Sequence, residues 1–176
     1  GLLRKDEASK VMTFYGDTMG LNLTRVDAKE RFLSALAGVK AADEKEKIIF
    51  RLLSEELETV VRALPNVRIL LQGTNYNDTL AEGGQFPLSR VSAGMRVIEP
   101  VRELFKDEIR RVGEELGLPP MIIQRQPFPG SGLALRILSD VTEEKLDILR
   151  EADAIFREEI EETGQSKRLW QYFASL

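Results

Sequence analysis

The 176-residue sequence contains no cysteine and no histidine. Without cysteine, it has no disulfide, no thiol nucleophile and no cysteine-ligated zinc or iron–sulfur site. Without histidine, it has no Ser-His-Asp triad and no imidazole metal ligand. Any chemistry must therefore depend on carboxylates, lysine, arginine, hydroxyls and backbone amides, together with Mg²⁺ held by oxygen ligands.

An excess of positive charge is also lacking, because 25 lysine and arginine residues face 29 aspartate and glutamate residues. The formal net charge of −4 argues against a dedicated nucleic-acid partner. No apolar run approaches the roughly 18 to 20 residues of a membrane span, and no signal peptide opens the chain. The sequence therefore predicts a cytoplasmic protein with neither a membrane nor a nucleic-acid partner.

Short apolar segments alternate with long amphipathic ones, which predicts an α/β fold with an open, mostly parallel sheet flanked by helices. The predicted strands span 21–26, 67–71, 95–98 and 133–138. The predicted helices span 5–15, 28–36, 43–64, 100–116 and a last helix that ends at 163–164. Asp27 is expected to cap the second helix, and Asp140 with Glu143 has capping-box spacing before the last helix.

The first candidate site is the polar stretch 72–78, which follows a predicted buried strand. Open α/β sheets bind ligands at the carboxyl ends of their strands. Gly73 lets the backbone approach a ligand closely, Thr74 offers a hydroxyl, and Asp78 can accept a hydrogen bond or hold Mg²⁺. The alternative is an ordinary turn rich in Asn and Asp. The unpatterned stretch that continues to Gly94 is a candidate lid.

The second candidate site is the start of the helix predicted after the 95–98 strand. Lys106 can neutralise charge on a leaving phosphate, while Asp107 holds the ammonium or a metal ion. Asp107 and Arg111 are also four residues apart, which is typical of an ion pair on a solvated helix face.

The third candidate site is the loop 127–133, in which Gly130 and Gly132 expose backbone amides that can cradle an anion. Arg125 and Arg136 flank it, and two guanidinium groups beside exposed amides suit a phosphate. A purely structural turn explains the same residues.

Several of these segments, in order and at matching spacing, resemble the ATP pyrophosphatase domain of GMP synthetases, a PP-loop family. The matching segments are 31–38, 45–49, 72–74, 99–108 and 127–130. The resemblance implies a Rossmann-like fold of the adenine nucleotide α-hydrolase type. It also implies a ligase that adenylates XMP with ATP and Mg²⁺ and releases pyrophosphate. Ammonia from a glutamine amidotransferase domain or subunit then completes GMP, in a protein that is a homodimer at full length.

The resemblance assigns a role to each matching residue. The implied catalytic residues are Asp78, Lys106 and Asp107, of which Asp107 also holds the metal. The implied ATP-binding residues are Phe32, Gly73 and Thr74. The implied XMP-binding residues are Arg125, Gly130, Gly132 and Arg136, and the implied lid residues are Glu82 and Arg90.

The resemblance divides the chain into a partial ATP pyrophosphatase domain, 1–164, and a linker, 165–176, toward a C-terminal dimerisation domain. That domain and the family's Ser-Gly-Gly-x-Asp-Ser phosphate loop are absent from these residues, so we expect the isolated chain to be inactive. Ala81 and Gln126 stand where the family has other residues. Two alternatives remain: a non-catalytic module of the same fold that binds a nucleotide or a partner, and a PP-loop enzyme that acts on another acceptor.

Overall fold

The computed structural model describes residues 2–80, 95–126, 128–169 and 171–176. It contains helices and a small parallel sheet, which confirms the predicted α/β class. The chain forms two compact units: unit 1 comprises Gly1–Ile49 and Phe128–Leu176, and unit 2 comprises Phe50–Pro127. No helix in the described ranges is both long and apolar enough to cross a membrane.

Unit 1 is built from helices packed on a small apolar core. Helix α1 (Glu7–Val11) continues as a π-helical segment (Met12–Thr18), and α2 spans Lys29–Leu36. A 3₁₀ segment (Gly132–Arg136) precedes the long helix α7 (Glu143–Glu162), which a short 3₁₀ turn (Gln165–Lys167) follows. The most deeply buried apolar side chains are Leu36, Ile49, Leu133, Ile137, Leu146 and Leu149.

Helix α3 (Ala42–Ala63) begins in unit 1 and continues in unit 2, where the chain then forms the sheet. Strands β1 (Ile69–Leu71) and β2 (Arg96–Ile98) pair in parallel, with Leu70 opposite Val97. Helix α4 (Tyr76–Leu80) follows β1. Helices α5 (Lys106–Glu115) and α6 (Pro120–Ile123) follow β2.

Two of the four predicted strands are wrong. Residues 21–26 have no regular structure, and Leu21 and Val26 are exposed rather than packed. The predicted strand 133–138 is replaced by the 3₁₀ segment, because Gly132 adopts a left-handed conformation that turns the chain. An alternating apolar pattern becomes a strand only when a neighbouring strand is available to pair with it.

The predicted helix 100–116 begins later than expected. Residues 100–103 form turns, in which Arg102 N donates to Glu99 O and Leu104 N donates to Val101 O. Helix α5 starts only at Lys106, where the Glu108 carboxylate accepts a hydrogen bond from Phe105 N at 2.8 Å. A carboxylate three residues into the helix satisfies an otherwise unpaired amide and fixes the start there. The sequence pattern did not predict α6.

The predicted caps are partly displaced. Asp27 Oδ1 does accept a hydrogen bond from Lys29 N, although Ala28, and not Asp27, occupies the N-cap position of α2. Helix α7 is capped by the hydroxyl of Thr142, which accepts from Lys145 N at 3.3 Å. Asp140 instead forms a salt bridge with the Lys145 ammonium at 2.7 Å. The last helix ends at 163–164 as predicted, with Gly164 in the left-handed conformation.

The buried position expected for β1 is also wrong. Ile69 is 53% exposed and Leu71 is 69% exposed, and only Leu70 between them is half-buried. A nearly all-apolar strand is normally covered on both faces in a parallel sheet.

Candidate functional site

The loops that leave the two parallel strands of unit 2 are joined by backbone hydrogen bonds. Gln72 N donates to Ile98 O at 2.9 Å, and Tyr76 N donates to Leu104 O at 3.0 Å. The structure therefore brings the loop that carries Gly73 and Thr74 against the segment that leads to Lys106. These residues lie at the carboxyl-end edge of the sheet, where a parallel α/β fold places its ligands.

Asp78 is held in a reciprocal cap at the start of α4. Its Oδ2 accepts from Asn75 N at 3.0 Å, and the side-chain oxygen of Asn75 accepts from Asp78 N at 3.3 Å. Asn75 is buried, so this pair satisfies amides that water reaches poorly. The alternative interpretation of Asp78 as a turn residue therefore has a structural basis. No described residue donates to its second oxygen, Oδ1, which leaves that atom for a ligand.

Thr74 lies beside a carboxylate that the sequence interpretation left without a role. The Thr74 hydroxyl and the Arg102 guanidinium together lower the pKa of Glu99, against the opposing effect of burial. Arg102 Nη1 lies 2.5 Å from Glu99 Oε2. The buried Thr74 Oγ1 acts on Glu99 in this way although it makes no hydrogen bond of full geometry with any described residue. The sequence signal that could have identified Glu99 as a site residue is its position directly after β2.

Lys106 is exposed at the first position of α5, and no carboxylate of the described residues lies within salt-bridge distance of it. Asp107 Oδ2, in contrast, lies 3.3 Å from Arg111 Nη2, and both side chains are largely exposed. The structure thus contains the surface ion pair that the spacing also predicted. Such a pair contributes little stability, so a ligand can replace it at small cost.

The described residues contain no group of three side chains of the type that hold a metal ion. Mg²⁺ usually takes only one or two protein carboxylates and completes its shell with substrate phosphates and water. Asp107 fits a metal ion that arrives with a nucleotide, and does not fit a resident metal site.

Two aromatic rings that the sequence interpretation missed also lie at this edge. The rings of Tyr76 and Phe105 pack edge to face, with centroids 4.9 Å apart and planes at 63°. Tyr76 is 38% exposed and Phe105 is 46% exposed. Tyr76 begins α4, which follows β1, and Phe105 directly precedes α5, which follows β2. This position after a strand is the sequence signal that marks the two residues.

In unit 1, Arg136 is part of a buried ionic cluster around Asp153, which we call the Asp153 cluster (Arg4, Arg136, Asp153 and Arg157). Asp153 Oδ1 lies 2.8 Å from Arg136 Nη1, and its Oδ2 lies 2.9 Å from Arg157 Nε and 3.4 Å from Arg4 Nε. Burial lowers the pKa of Arg136, and the charge of Asp153 opposes that shift. Nη2 of Arg136 is buried without a hydrogen-bond partner among the described residues.

Aromatic rings cover the guanidinium group of Arg136. It lies 4.6 Å from the centroid of Phe173 and 5.3 Å from that of Phe128. The chain end adds two backbone bonds, Leu176 N to Arg136 O and Leu138 N to Leu176 O. Residues 171–176, the end of the predicted linker 165–176, therefore belong to unit 1, and Arg136 faces protein rather than water.

The other predicted residues are distributed over both units. Phe32 is buried in the core of unit 1, where packing explains its position. Gly130 and Gly132 lie in unit 1 with Arg136, whereas Arg125 is exposed in unit 2. The adenine and XMP contacts assigned to these residues stay predictions. Ala81, Glu82 and Arg90 lie outside the described residues.

Gly132 has a structural reason to be glycine. Its φ is +69°, and a Cβ added there lies 2.4 Å from the carbonyl oxygen of Leu2, which accepts from Leu133 N at 2.8 Å. We expect Gly132→Ala to lower the free energy of unfolding by about 2–4 kcal/mol, from left-handed strain plus overpacking. Gly38→Ala is the matched control, because Gly38 has φ +75° and open space around it.

Urea denaturation of both variants separates the two causes. The control variant is expected to lose about 1–2 kcal/mol from strain alone. Equal losses in the two variants would show that the contact with Leu2 contributes nothing.

No protein-family model matches the sequence. The chain is 48% identical over 186 residues to the glutamine-hydrolysing GMP synthase of Clostridium botulinum (strain Kyoto / Type A2). It is 49% identical over 187 residues to the enzyme of the same name from Caldicellulosiruptor saccharolyticus, and 47% identical over 186 residues to that of Clostridium tetani. Each alignment covers 100% of this chain and 36% or 37% of the relative. The chain is therefore similar, over its whole length, to little more than a third of a glutamine-hydrolysing GMP synthase.

Proposed function

We propose that the chain is the ATP pyrophosphatase part of a GMP synthase, which adenylates XMP before its amination. The observation that carries the proposal is the similarity of the whole chain, at 48% identity, to a protein named glutamine-hydrolysing GMP synthase. In the complete protein this part works beside a glutamine amidotransferase domain or subunit, as a homodimer.

The amino acids that the chain lacks favour the ATP-dependent half of the reaction over glutamine hydrolysis. Covalent hydrolysis of a carboxamide requires an activated nucleophile, most often a thiol or hydroxyl beside a histidine. This chain has neither cysteine nor histidine. Phosphoryl chemistry needs mainly positioning and stabilisation of charge, which lysine, arginine and backbone amides provide. We therefore assign the hydrolysis of glutamine, which supplies the ammonia, to residues outside this chain.

The reaction proposed here forms a bond from the C2 oxygen of XMP to the α-phosphorus of ATP. The bond from that phosphorus to the bridging oxygen breaks, so pyrophosphate leaves with the electron pair. Ammonia then attacks C2, loses a proton and displaces AMP, giving GMP. Mg²⁺ bound with ATP supplies positive charge to the phosphates.

In this reaction Lys106 stabilises the negative charge of the leaving pyrophosphate, because its ammonium is exposed and has no carboxylate partner among the described residues. Asp107, whose surface pair with Arg111 contributes little stability, would hold the metal ion that accompanies the nucleotide. Asp78 keeps one oxygen on the cap of α4 and turns Oδ1 toward the substrate.

A non-catalytic nucleotide-binding module is the second candidate. The ion pair of Asp107 with Arg111 and the cap formed by Asp78 favour it, because both assigned catalytic carboxylates already have structural partners. The two candidates share the ligand and differ in turnover.

Titration calorimetry of the chain with XMP, with ATP-Mg²⁺ and with glutamine tests the proposal. We expect binding of at least one nucleotide and none of glutamine. Lys106→Met is expected to weaken nucleotide binding about tenfold, because a charge-assisted contact is lost. Arg62→Met on α3 in unit 2 is the control, because Arg62 pairs with Glu58 at the surface, and it is expected to have little effect. Silence with both nucleotides, or heat with glutamine alone, would refute the proposal.

A further inference from the structure

We propose that Tyr76 and Phe105 form the surface on which the purine ring of the bound nucleotide stacks. This inference rests on the proposed function and adds the residues that recognise the base. Neither ring has an assigned role in that function.

The two rings belong to a fixed platform rather than to free loop ends. The bond from Tyr76 N to Leu104 O joins the residue that carries one ring to the neighbour of the other. The edge-to-face packing of the rings then limits their rotation. A platform that is rigid before binding costs little conformational entropy when a ligand arrives.

Open space adjoins the start of the same loop. A Cβ added at Gly73 meets no atom within 4 Å. Both rings keep more than a third of their surface exposed at this edge. The Phe14–Tyr15 pair in unit 1 has the same 4.9 Å separation, but both of its residues are less exposed.

The charges around the platform fit a ligand that joins an aromatic ring to an anion. Lys106 directly follows Phe105 and has no carboxylate partner among the described residues. Two of the carboxylates at this edge are engaged elsewhere, since Glu99 pairs with Arg102 and Glu108 caps Phe105 N. An exposed ring pair, with a lysine next in sequence that pairs with no carboxylate of the described residues, is the complement of a nucleotide. A purely apolar ligand would leave that ammonium unused.

Substitution of Tyr76 tests the inference when the base and the phosphate are titrated separately. Tyr76→Leu keeps apolar volume against Phe105 and removes the aromatic face. We expect its affinity for XMP or ATP-Mg²⁺ to fall roughly 5- to 100-fold, the range for loss of one base-stacking partner. Affinity for ribose 5-phosphate, which has no base, is expected to stay the same. The nucleotide that loses affinity identifies which purine the platform holds.

Three further variants complete the test. Tyr76→Phe keeps the ring and is expected to bind within about twofold of the parent chain. Phe105→Leu is expected to repeat the selective loss independently. Tyr15→Leu, in the half-buried pair of unit 1, is the control and is expected to leave nucleotide affinity unchanged. Far-UV circular dichroism confirms that each variant is folded.

The outcomes separate this inference from the proposed function. Unchanged nucleotide affinity in Tyr76→Leu and Phe105→Leu overturns the stacking platform and leaves the proposed function standing, because the parent chain still binds. An equal loss for ribose 5-phosphate in folded variants also overturns it, since the rings then act on the phosphate region. If the parent chain binds neither nucleotide, both proposals fail.

Discussion

Replacement of Asp153 by asparagine is expected to lower the free energy of unfolding of unit 1 by about 3–5 kcal/mol, the range for removing one partner of a buried ion pair. Asp153 is 1% exposed and is the carboxylate shared by three guanidinium groups. Asparagine has almost the same shape, so the loss comes from charge. Arg136 is itself buried and would stay charged without this counter-ion, and the buried Arg4 would lose one of its contacts.

Asp147→Asn is the matched control, because Asp147 lies on the same helix α7 and pairs with Arg150 at the surface. It is expected to change stability very little. Urea denaturation measures the loss, and hydrogen exchange at the amides of α7 shows that it arises in unit 1. Equal stability of the two variants would mean that solvent already neutralises the Asp153 cluster.

Lys45→Met is expected to lower the free energy of unfolding by about 2–4 kcal/mol, because it removes the ammonium that donates to the carbonyl groups of Ile137 and Ser139. Lys45 is 1% exposed, and its ammonium lies 2.5 Å from Ile137 O, 2.6 Å from Ser139 O and 3.5 Å from Ala134 O. Burial lowers the pKa of Lys45, with Lys145 adding to the shift and Asp140 opposing it. Burial is unfavourable for the ammonium because the group loses its hydration, and the three carbonyl contacts offset that free-energy cost.

Lys47→Met provides the control, since Lys47 is exposed and pairs with Asp43 one turn away. It is expected to leave stability unchanged. Methionine conserves the length and apolar stem of lysine, so packing is similar in both variants. Denaturation midpoints that coincide for the two variants would contradict a structural role for the buried ammonium.

The helices were predictable from the sequence because their apolar positions repeat within each segment. The bounds of α3 agree with the prediction to within a residue, and α7 ends where Thr163 and Gly164 predict. The prediction of a strand at 133–138 failed because the conformation of these residues depends on groups that are distant in sequence. Gly132 packs on Leu2, and the carbonyls that follow are held by Lys45 on α3. No local pattern contains those contacts.

The position of the candidate site was predictable, but its composition was only partly so. The rule for parallel strands placed Gly73 and Thr74 at the carboxyl-end edge. The partners of Glu99 and the pairing of Tyr76 with Phe105 depend on how two loops meet, which periodicity does not encode. In the sequence, Asp153 cannot be distinguished from the exposed charged residues of the same helix. Only packing shows that three arginines converge on it.

The most direct test of the central claim, that a purine nucleotide binds at the carboxyl-end edge of the parallel sheet, is an amide chemical-shift titration of the ¹⁵N-labelled chain with XMP and with ATP-Mg²⁺. The claim predicts saturable shifts that cluster at Gly73, Thr74, Tyr76 and Lys106. Saturable shifts that spare all four of these amides, or no shifts with either nucleotide, would contradict it.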